Sequence, residues 1–205
     1  MTRTGGTERK STLVEEAIRQ FGREGYHGTS LDAIATAVGV RKQTLLYYFP
    51  TKEALLEACL AAAGERLAEV IAAGLAGKDS TEDRAQAVIH AVFSLAEDWP
   101  EFPMFIREAG RLGPDAFERF ANVLDPLRLR AIDFLQGGMD NGAIRKQDPA
   151  FLLFTLYTAV VGSLTEAAVL NAVVGPQKGR ASLRRREREV TMFVRAALAP
   201  PAEPA

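Results

Sequence analysis

The sequence predicts an all-α protein, with a three-helix module containing a helix-turn-helix at its N-terminal end and a helical bundle behind it. Three observations carry this. Apolar side chains recur at three- and four-residue spacing through most of the 205-residue chain. No stretch shows the every-second-residue alternation of a half-buried strand. Glycine, proline and small polar residues fall at the ends of the periodic runs, where caps and breaks belong.

The most informative stretch is Thr29 to Lys52, TSLDAIATAVGVRKQTLLYYFPTK. Leu31, Ile34, Ala35 and Val38 recur at helical spacing, and Thr29-x-x-Asp32 ahead of them has the form of a capping box. Gly39 follows the last periodic residue, where a reversing chain needs a positive φ. A second short helix is expected from Lys42 to Phe49, and Pro50 discourages its continuation. Val40, Leu45 and Phe49 are expected to face the first helix, leaving Arg41, Lys42, Gln43, Thr44, Tyr47 and Tyr48 outward. Arg, Lys and Gln on such a helix suit hydrogen bonding to purine edges in a major groove. Thr and Tyr hydroxyls, the Thr29-Ser30 pair and Lys52 suit phosphate oxygens, which fix orientation without reading sequence. On spacing alone, an ordinary helical hairpin with a solvated polar face fits equally well.

These residues resemble a known family. Ala17-Ile18, Phe21, Gly25-Tyr26, Thr29-Ser30, Ile34-Ala35, Gly39-Val40, Thr44-Leu45, Tyr47, Phe49 and Lys52-Glu53-Ala54-Leu55 are similar to the N-terminal domain of TetR/AcrR transcriptional regulators. Leu46, Gln43 and Pro50 depart from the common pattern, which bears on the DNA sequence read and not on the family. The resemblance implies a DNA-binding domain over 1–52 and a ligand-binding and dimerisation domain over 53–205. It also implies a repressor that leaves its double-stranded operator when a small molecule binds.

Charge agrees in a modest way. Residues 1–52 hold 8 Lys and Arg against 5 Asp and Glu, while the remainder holds 17 against 21, so a basic front precedes an acidic body. With 47% hydrophobic and 25% charged residues, the composition is that of a globular protein. Cys59 is the only cysteine, which excludes an intrachain disulfide and a cysteine-based zinc site and fits a cytoplasmic location. MTRTGGTERKST lacks the apolar core of a signal peptide. Phe151 to Val174 is long enough to cross a bilayer, but Glu166, Asn171 and its Thr and Ser residues suit a bundle helix better, so no membrane partner is expected.

In chain order, residues 1 to about 7, with Arg3, read as a mobile arm, and a first helix is expected over Glu8–Glu24, stopped by Gly25. Thr51 is placed to cap a fourth, long helix reaching about Gly74, a candidate lever, before the linker GLAGKDS. Further helices are expected at about 81–98, 101–112, 115–124, 126–141, 149–174 and 182–198, ahead of the tail PPAEPA. Asp125-Pro126 suits a helix start. His90 reads as a solvated surface residue, and His27 as a loop residue or a phosphate contact. The run Arg184-Arg185-Arg186-Glu187-Arg188-Glu189 reads as a solvent face or interface rim.

Enzyme signatures are absent: there is no glycine-rich phosphate loop, no G-x-S-x-G and no H-E-x-x-H. No cofactor and no metal are expected. The resemblance implies an effector pocket among the middle helices, for which Phe93, Trp99, Phe102, Phe105, Phe120 and Tyr157 supply apolar walls. Arg107, Asn122 and Glu166 are its candidate polar anchors. A single reader makes a small interface with DNA, so a homodimer on a pseudo-palindrome is expected. Thr155, Thr158 and Gly162 form a small-residue stripe for close helix approach, and Val190, Phe193 and Val194 an apolar face on the last helix. The alternatives from other classes are a helical small-molecule binder without operator-specific DNA binding, and an all-α enzyme.

Overall fold

The computed structural model describes residues 4–200, without the side chains at positions 4, 5, 114, 116, 117 and 119. Arg3 and the end of the tail beyond Pro200 therefore lie outside the described residues. Ten helices and no strand are found among the described residues: α1 Thr4–Gly28, α2 Leu31–Val38, α3 Lys42–Tyr48, α4 Lys52–Leu75, α5 Thr81–Asp98, α6 Phe102–Arg111, α7 Pro114–Asp140, α8 Pro149–Thr165, α9 Ala167–Val174 and α10 Gly179–Leu198.

Where local chemistry sets an end, the expected ends hold. Thr51 Oγ1 accepts from the Ala54 amide at 3.0 Å and so caps α4, and Ser80 caps α5 through the Asp83 amide at 3.0 Å. Three expectations give way. Helix α1 begins at Thr4, earlier than Glu8; its regular turns end at Gly25 as expected, where φ 75°, ψ 163° breaks the helix before a last short turn to Gly28. Pro126 lies inside α7, which joins the two helices expected at 115–124 and 126–141. A proline removes one amide donor, and here the helical turns on either side carry the chain past that loss. The span 149–174 is two helices bent by 82°. The break is Glu166, at φ −92°, ψ 53°, and Arg186 of α10 donates to the Ser163 carbonyl in the last turn of α8 at 2.8 Å. A cation there satisfies a freed carbonyl and suits the negative end of the helix.

The chain forms two compact units: residues up to Arg66 with Trp99–Leu124, and Leu67–Asp98 with the chain from Asp125 onward. The N-terminal unit thus extends beyond the expected boundary at Lys52, taking in the first part of α4, the whole of α6 and the start of α7. Its buried side chains include Leu13, Ile18 and Phe21 of α1, Ile34 of α2, Leu45 of α3, Leu55 of α4 and Phe105 of α6. In the second unit Ile89, Phe93, Leu135, Met139, Ile144, Leu152, Val194 and Leu198 form one core. A hydrogen bond between His90 and Glu187 at 2.7 Å and the ion pairs Arg180–Glu97 at 2.9 Å and Arg195–Glu82 run between α5 and α10. His90 is thus on the surface, as its position in the sequence suggests, with a carboxylate partner. No single helix among the described residues is long and apolar enough to cross a membrane; only the bent pair α8 and α9 reaches that composition.

Candidate nucleic-acid interface

Helices α2 and α3 make the helix-turn-helix. Ser30, in extended conformation, caps α2 by accepting from the Ala33 amide at 3.0 Å, so the cap is Ser30 and not Thr29. Gly39 takes φ 75°, ψ 27°, and its amide reaches the Thr36 carbonyl at 3.0 Å while Val40 reaches Ala35 at 2.9 Å. This left-handed residue sends the chain into α3, where Leu45 and Phe49 are buried. Lys10 of α1 lies 5.6 Å from the centre of the Phe49 ring.

With the inward side fixed, Arg41, Lys42 and Gln43 are exposed at the start of α3, and Tyr47 is 82% exposed at its end. Tyr48 and Thr44 are half-buried, and the Tyr47 and Tyr48 rings meet edge to face at 5.3 Å. Lys42 is paired with Asp32 of α2 at 2.6 Å. Both partners are exposed, so the pair is worth about 0–1 kcal/mol and yields readily to a phosphate or a base.

Two expected phosphate contacts are placed otherwise. Thr29 is 4% exposed and its hydroxyl donates to the Gly25 carbonyl at 2.9 Å, so it braces the entrance to α2 and offers no free proton to DNA. Lys52 is half-buried; its ammonium donates to the Tyr26 carbonyl and sits 4.3 Å from the centre of the Tyr26 ring. Burial lowers its pKa, opposed by the adjacent Glu53.

Around Tyr26 lies a cluster that sequence reasoning missed. The Tyr26 amide donates to Glu108 of α6 at 2.8 Å and its phenol donates to Glu53 of α4 at 2.9 Å. Burial, with help from Glu53, pushes that phenol up to about 12. The Glu53 carboxylate is held down by its backbone hydrogen bond and by those from Tyr26 and Thr51. A little further along, Arg23 donates to Glu101 at 2.9 Å. The one signal in the sequence was Gly22-x-x-Gly25, a spacing that permits close approach of another backbone; nothing local names the partner 82 residues away.

The nine expected effector residues fall in both units. Trp99, Phe102, Phe105, Arg107, Phe120 and Asn122 belong to the N-terminal unit, and Phe93, Tyr157 and Glu166 to the other. Phe93, Phe102, Phe105 and Phe120 are buried core side chains of the unit each belongs to, and Phe105 stacks on Phe21 at 6.3 Å. Trp99 is half-buried and packs on Phe102 at 5.6 Å. Asn122 is exposed and Arg107 half-buried. Tyr157 is partly exposed, and burial pushes its phenol up. Glu166 is not within a helix but at the α8–α9 bend.

Of the expected interface residues, Thr155, Thr158 and Phe193 are exposed, Gly162 is half-buried, and Phe151, Phe154 and Met192 join the exposed apolar set. Val190 packs partly against the core, and Val194 is 3% exposed within it. Val194 is therefore a core residue of its own chain and not part of an open face, because it follows Phe193 by about 100° around α10.

A capped α2, a glycine turn and an α3 that presents Arg41, Lys42, Gln43 and Tyr47 define a helix-turn-helix DNA-binding protein, carried on an otherwise all-helical chain. Residues 13–59 match the model of the bacterial regulatory proteins of the tetR family. The chain is 28% identical over 173 residues to the HTH-type transcriptional regulator RutR of Escherichia coli K12, covering 82% of this chain and 79% of that one. Over 48 residues it is 40% identical to the biofilm operon icaADBC HTH-type negative transcriptional regulator IcaR of Staphylococcus aureus, covering 23% and 26% of the two chains. The fold of AibR, solved with isovaleryl coenzyme A and operator DNA, superposes with a TM-score of 0.74 at 19% identity over 94% of this chain and 100% of that one. Residues 13–59 thus carry a DNA-binding module of the tetR type, and the relatives that the chain resembles are transcriptional regulators and not enzymes.

Proposed function

We propose that this regulator is a cytoplasmic homodimeric repressor, which binds a pseudo-palindromic double-stranded operator and leaves it when a small, largely apolar effector binds. The observation that carries the DNA-binding half is the exposed set Arg41, Lys42, Gln43 and Tyr47 on an α3 whose inward side is locked by Leu45 and Phe49. In function, the division falls near Lys52, with reading before it and effector binding and dimerisation after it. Arg41, Lys42 and Gln43 contact base edges, and Ser30, Thr44, Tyr47 and Tyr48 hold phosphates.

The dimer reading is supported by the exposed aromatic and small-residue face of α8 and α10. Contiguous apolar surface of this kind is rare on a monomer. Two α3 helices then occupy successive major grooves about 34–36 Å apart. An effector acts by its difference in affinity for the DNA-competent and incompetent states. Reversing that population takes roughly a 10⁴-fold preference, about 5.5 kcal/mol. Burying roughly 220 Å² of additional apolar surface at about 25 cal/mol per Å² supplies it. AibR, bound to isovaleryl coenzyme A and operator DNA, is a fold neighbour that combines both partners. Its effector's chemistry is its own.

The test is selection of genomic fragments by the purified protein, followed by salt titration on the selected duplex. A repeated pseudo-palindrome whose binding weakens steeply with salt is the expected result. Failure to enrich any sequence overturns the operator reading and favours a helical small-molecule binder. Apolar and amphipathic metabolites are then screened for operator release, and again with Trp99→Ala and Glu166→Gln. A metabolite that releases both variants as well as the parent shows that neither side chain anchors the effector.

A further inference from the structure

α1 breaks at Gly25, and the residue after the break is gripped from two helices at once. From α6, Glu108 accepts the Tyr26 amide at 2.8 Å. This bond replaces the backbone acceptor that the kink takes away, since Gly25 is non-helical at φ 75°. From α4, Lys52 donates to the Tyr26 carbonyl, and Glu53 accepts from the Tyr26 phenol at 2.9 Å. The same carbonyl accepts the Thr29 amide at 3.3 Å, so the bond network runs directly into the residue before the Ser30 cap. All three polar groups of Tyr26, its amide, carbonyl and phenol, are thus committed to holding it still.

The fit of α6 against α1 is equally specific. A Cβ on Gly22 would stand 2.6 Å from the Glu101 carbonyl oxygen and 3.3 Å from the Phe105 nitrogen, so the two backbones touch where only glycine fits. A Cβ on Gly25 would meet Glu108 Oε1 at 3.1 Å. Arg23–Glu101 closes the side of the same joint at 2.9 Å. Glu108 is an acid in the DNA-reading unit, where its charge opposes DNA binding in general.

We propose that Glu108 and Lys52 are positioning residues for operator recognition, holding Tyr26 and through it the start of α2, and that neither contacts DNA. The proposal rests on the operator reading and goes beyond it by placing an α6 carboxylate, outside the helix-turn-helix, in control of how α2 and α3 are presented. It reverses two expectations. On charge alone, removing Glu108 strengthens binding to every duplex; as a positioning residue, its removal weakens the operator alone. A phosphate-bound Lys52 contributes to the salt dependence of binding; a Lys52 spent on Tyr26 does not.

The experiment uses the full chain, its selected operator and a scrambled duplex of equal length, read by fluorescence anisotropy over a series of salt concentrations. Circular dichroism and gel filtration confirm that each variant is folded and assembled like the parent. Glu108→Leu is expected to lose about tenfold in operator affinity, the size of one charge-assisted hydrogen bond, with binding to the scrambled duplex undiminished. Glu108→Gln, whose side-chain carbonyl still accepts the amide, is expected to stay within about twofold of the parent. Lys52→Met is expected to weaken the operator with an unchanged salt slope, whereas loss of a phosphate contact flattens it by about one unit. Should Glu108→Leu fail to fold, Lys52→Met and Glu108→Gln decide on the same readouts. The inference is overturned by operator binding in Glu108→Leu that equals or exceeds the parent, by an operator loss in Glu108→Gln despite its retained acceptor, or by a flattened slope in Lys52→Met. A parent protein that does not distinguish operator from scrambled DNA overturns the operator reading first, and this inference with it.

Discussion

Thr29 and Ser30 are neighbours with hydroxyls of the same chemistry, and the direction of one proton separates them. Thr29 gives its proton to the Gly25 carbonyl, while Ser30 uses a lone pair to accept the Ala33 amide. Ser30 therefore keeps a proton to offer a phosphate oxygen and caps α2 at the same time. Ser30→Ala is expected to lower stability by about 1 kcal/mol through the lost cap. Faster hydrogen exchange at the α2 amides than elsewhere in the chain would show it, and uniform exchange would not support it. Asp32 bears on the reader in another way, because its pairing with Lys42 at 2.6 Å offsets a cation that DNA would otherwise meet. Asp32→Ala should tighten binding to all duplexes and steepen the salt slope by about one unit, which titrations on operator and scrambled DNA will test together. Gln43 differs from both in having no hydrogen-bond partner among the described residues and a side chain able to pair with adenine. Replacing it by alanine is expected to change preference at one or two base pairs by about 1–3 kcal/mol each. An unchanged ranking of operator variants would remove its base-reading role.

At the scale of elements, what the sequence showed and what it hid divide by range. The ends of α2, α4 and α5 follow from side chains within three residues of the end, so Gly39, Thr51 and Ser80 were readable as stops and starts. The exposed face of α3 was readable from its spacing. The bend at Glu166 was not, since the apolar run crosses it without a glycine or proline and its support comes from Arg186, 20 positions on in another helix. Pro126 misled in the opposite sense: the residue that usually starts a helix stands inside one. The intramolecular partners of Lys52 and Thr29 were hidden for the same reason, as each is claimed by the Tyr26 and Gly25 segment at the kink of α1. That kink yields a test of packing independent of DNA. Gly22→Ala puts a methyl group against two backbone atoms of α6, which cannot turn aside as a side chain can. A loss of about 1–3 kcal/mol is expected, read as a lowered midpoint in thermal unfolding. Gly137→Ala serves as the comparison, because nothing stands within 4 Å of its new methyl inside α7 and no loss is expected there.

For the whole molecule, the decisive question is whether the second unit is finished as a single chain. Its core is closed, with Phe93, Leu152, Val194 and Leu198 all buried. Its α8 and α10 nevertheless leave Phe151 at 71% and Phe193 at 54% exposed, with a shallow recess between them lined by Leu152, Thr155 and Ala197. A second copy of the chain placing the same face there removes that apolar surface from water on both sides, as a two-fold contact does. One reading module buries only about 600–1,000 Å² on DNA, too little for tight site-specific binding, so the apolar face and the DNA interface call for the same solution. Phe193 and Val194 separate the roles cleanly because they are consecutive and point to different sides of α10. Val194→Ala removes buried methyl groups and is expected to cost about 2 kcal/mol of stability while the dimer persists. Phe193→Glu leaves the core intact and sets a charge on each side of the proposed contact, where no partner for it is provided. Its expected product is a folded monomer by light scattering, with operator affinity lost and weak scrambled-duplex binding retained. If Phe193→Glu remains dimeric at micromolar concentration, or the parent is a stable monomer there, the contact lies elsewhere or the reader acts alone.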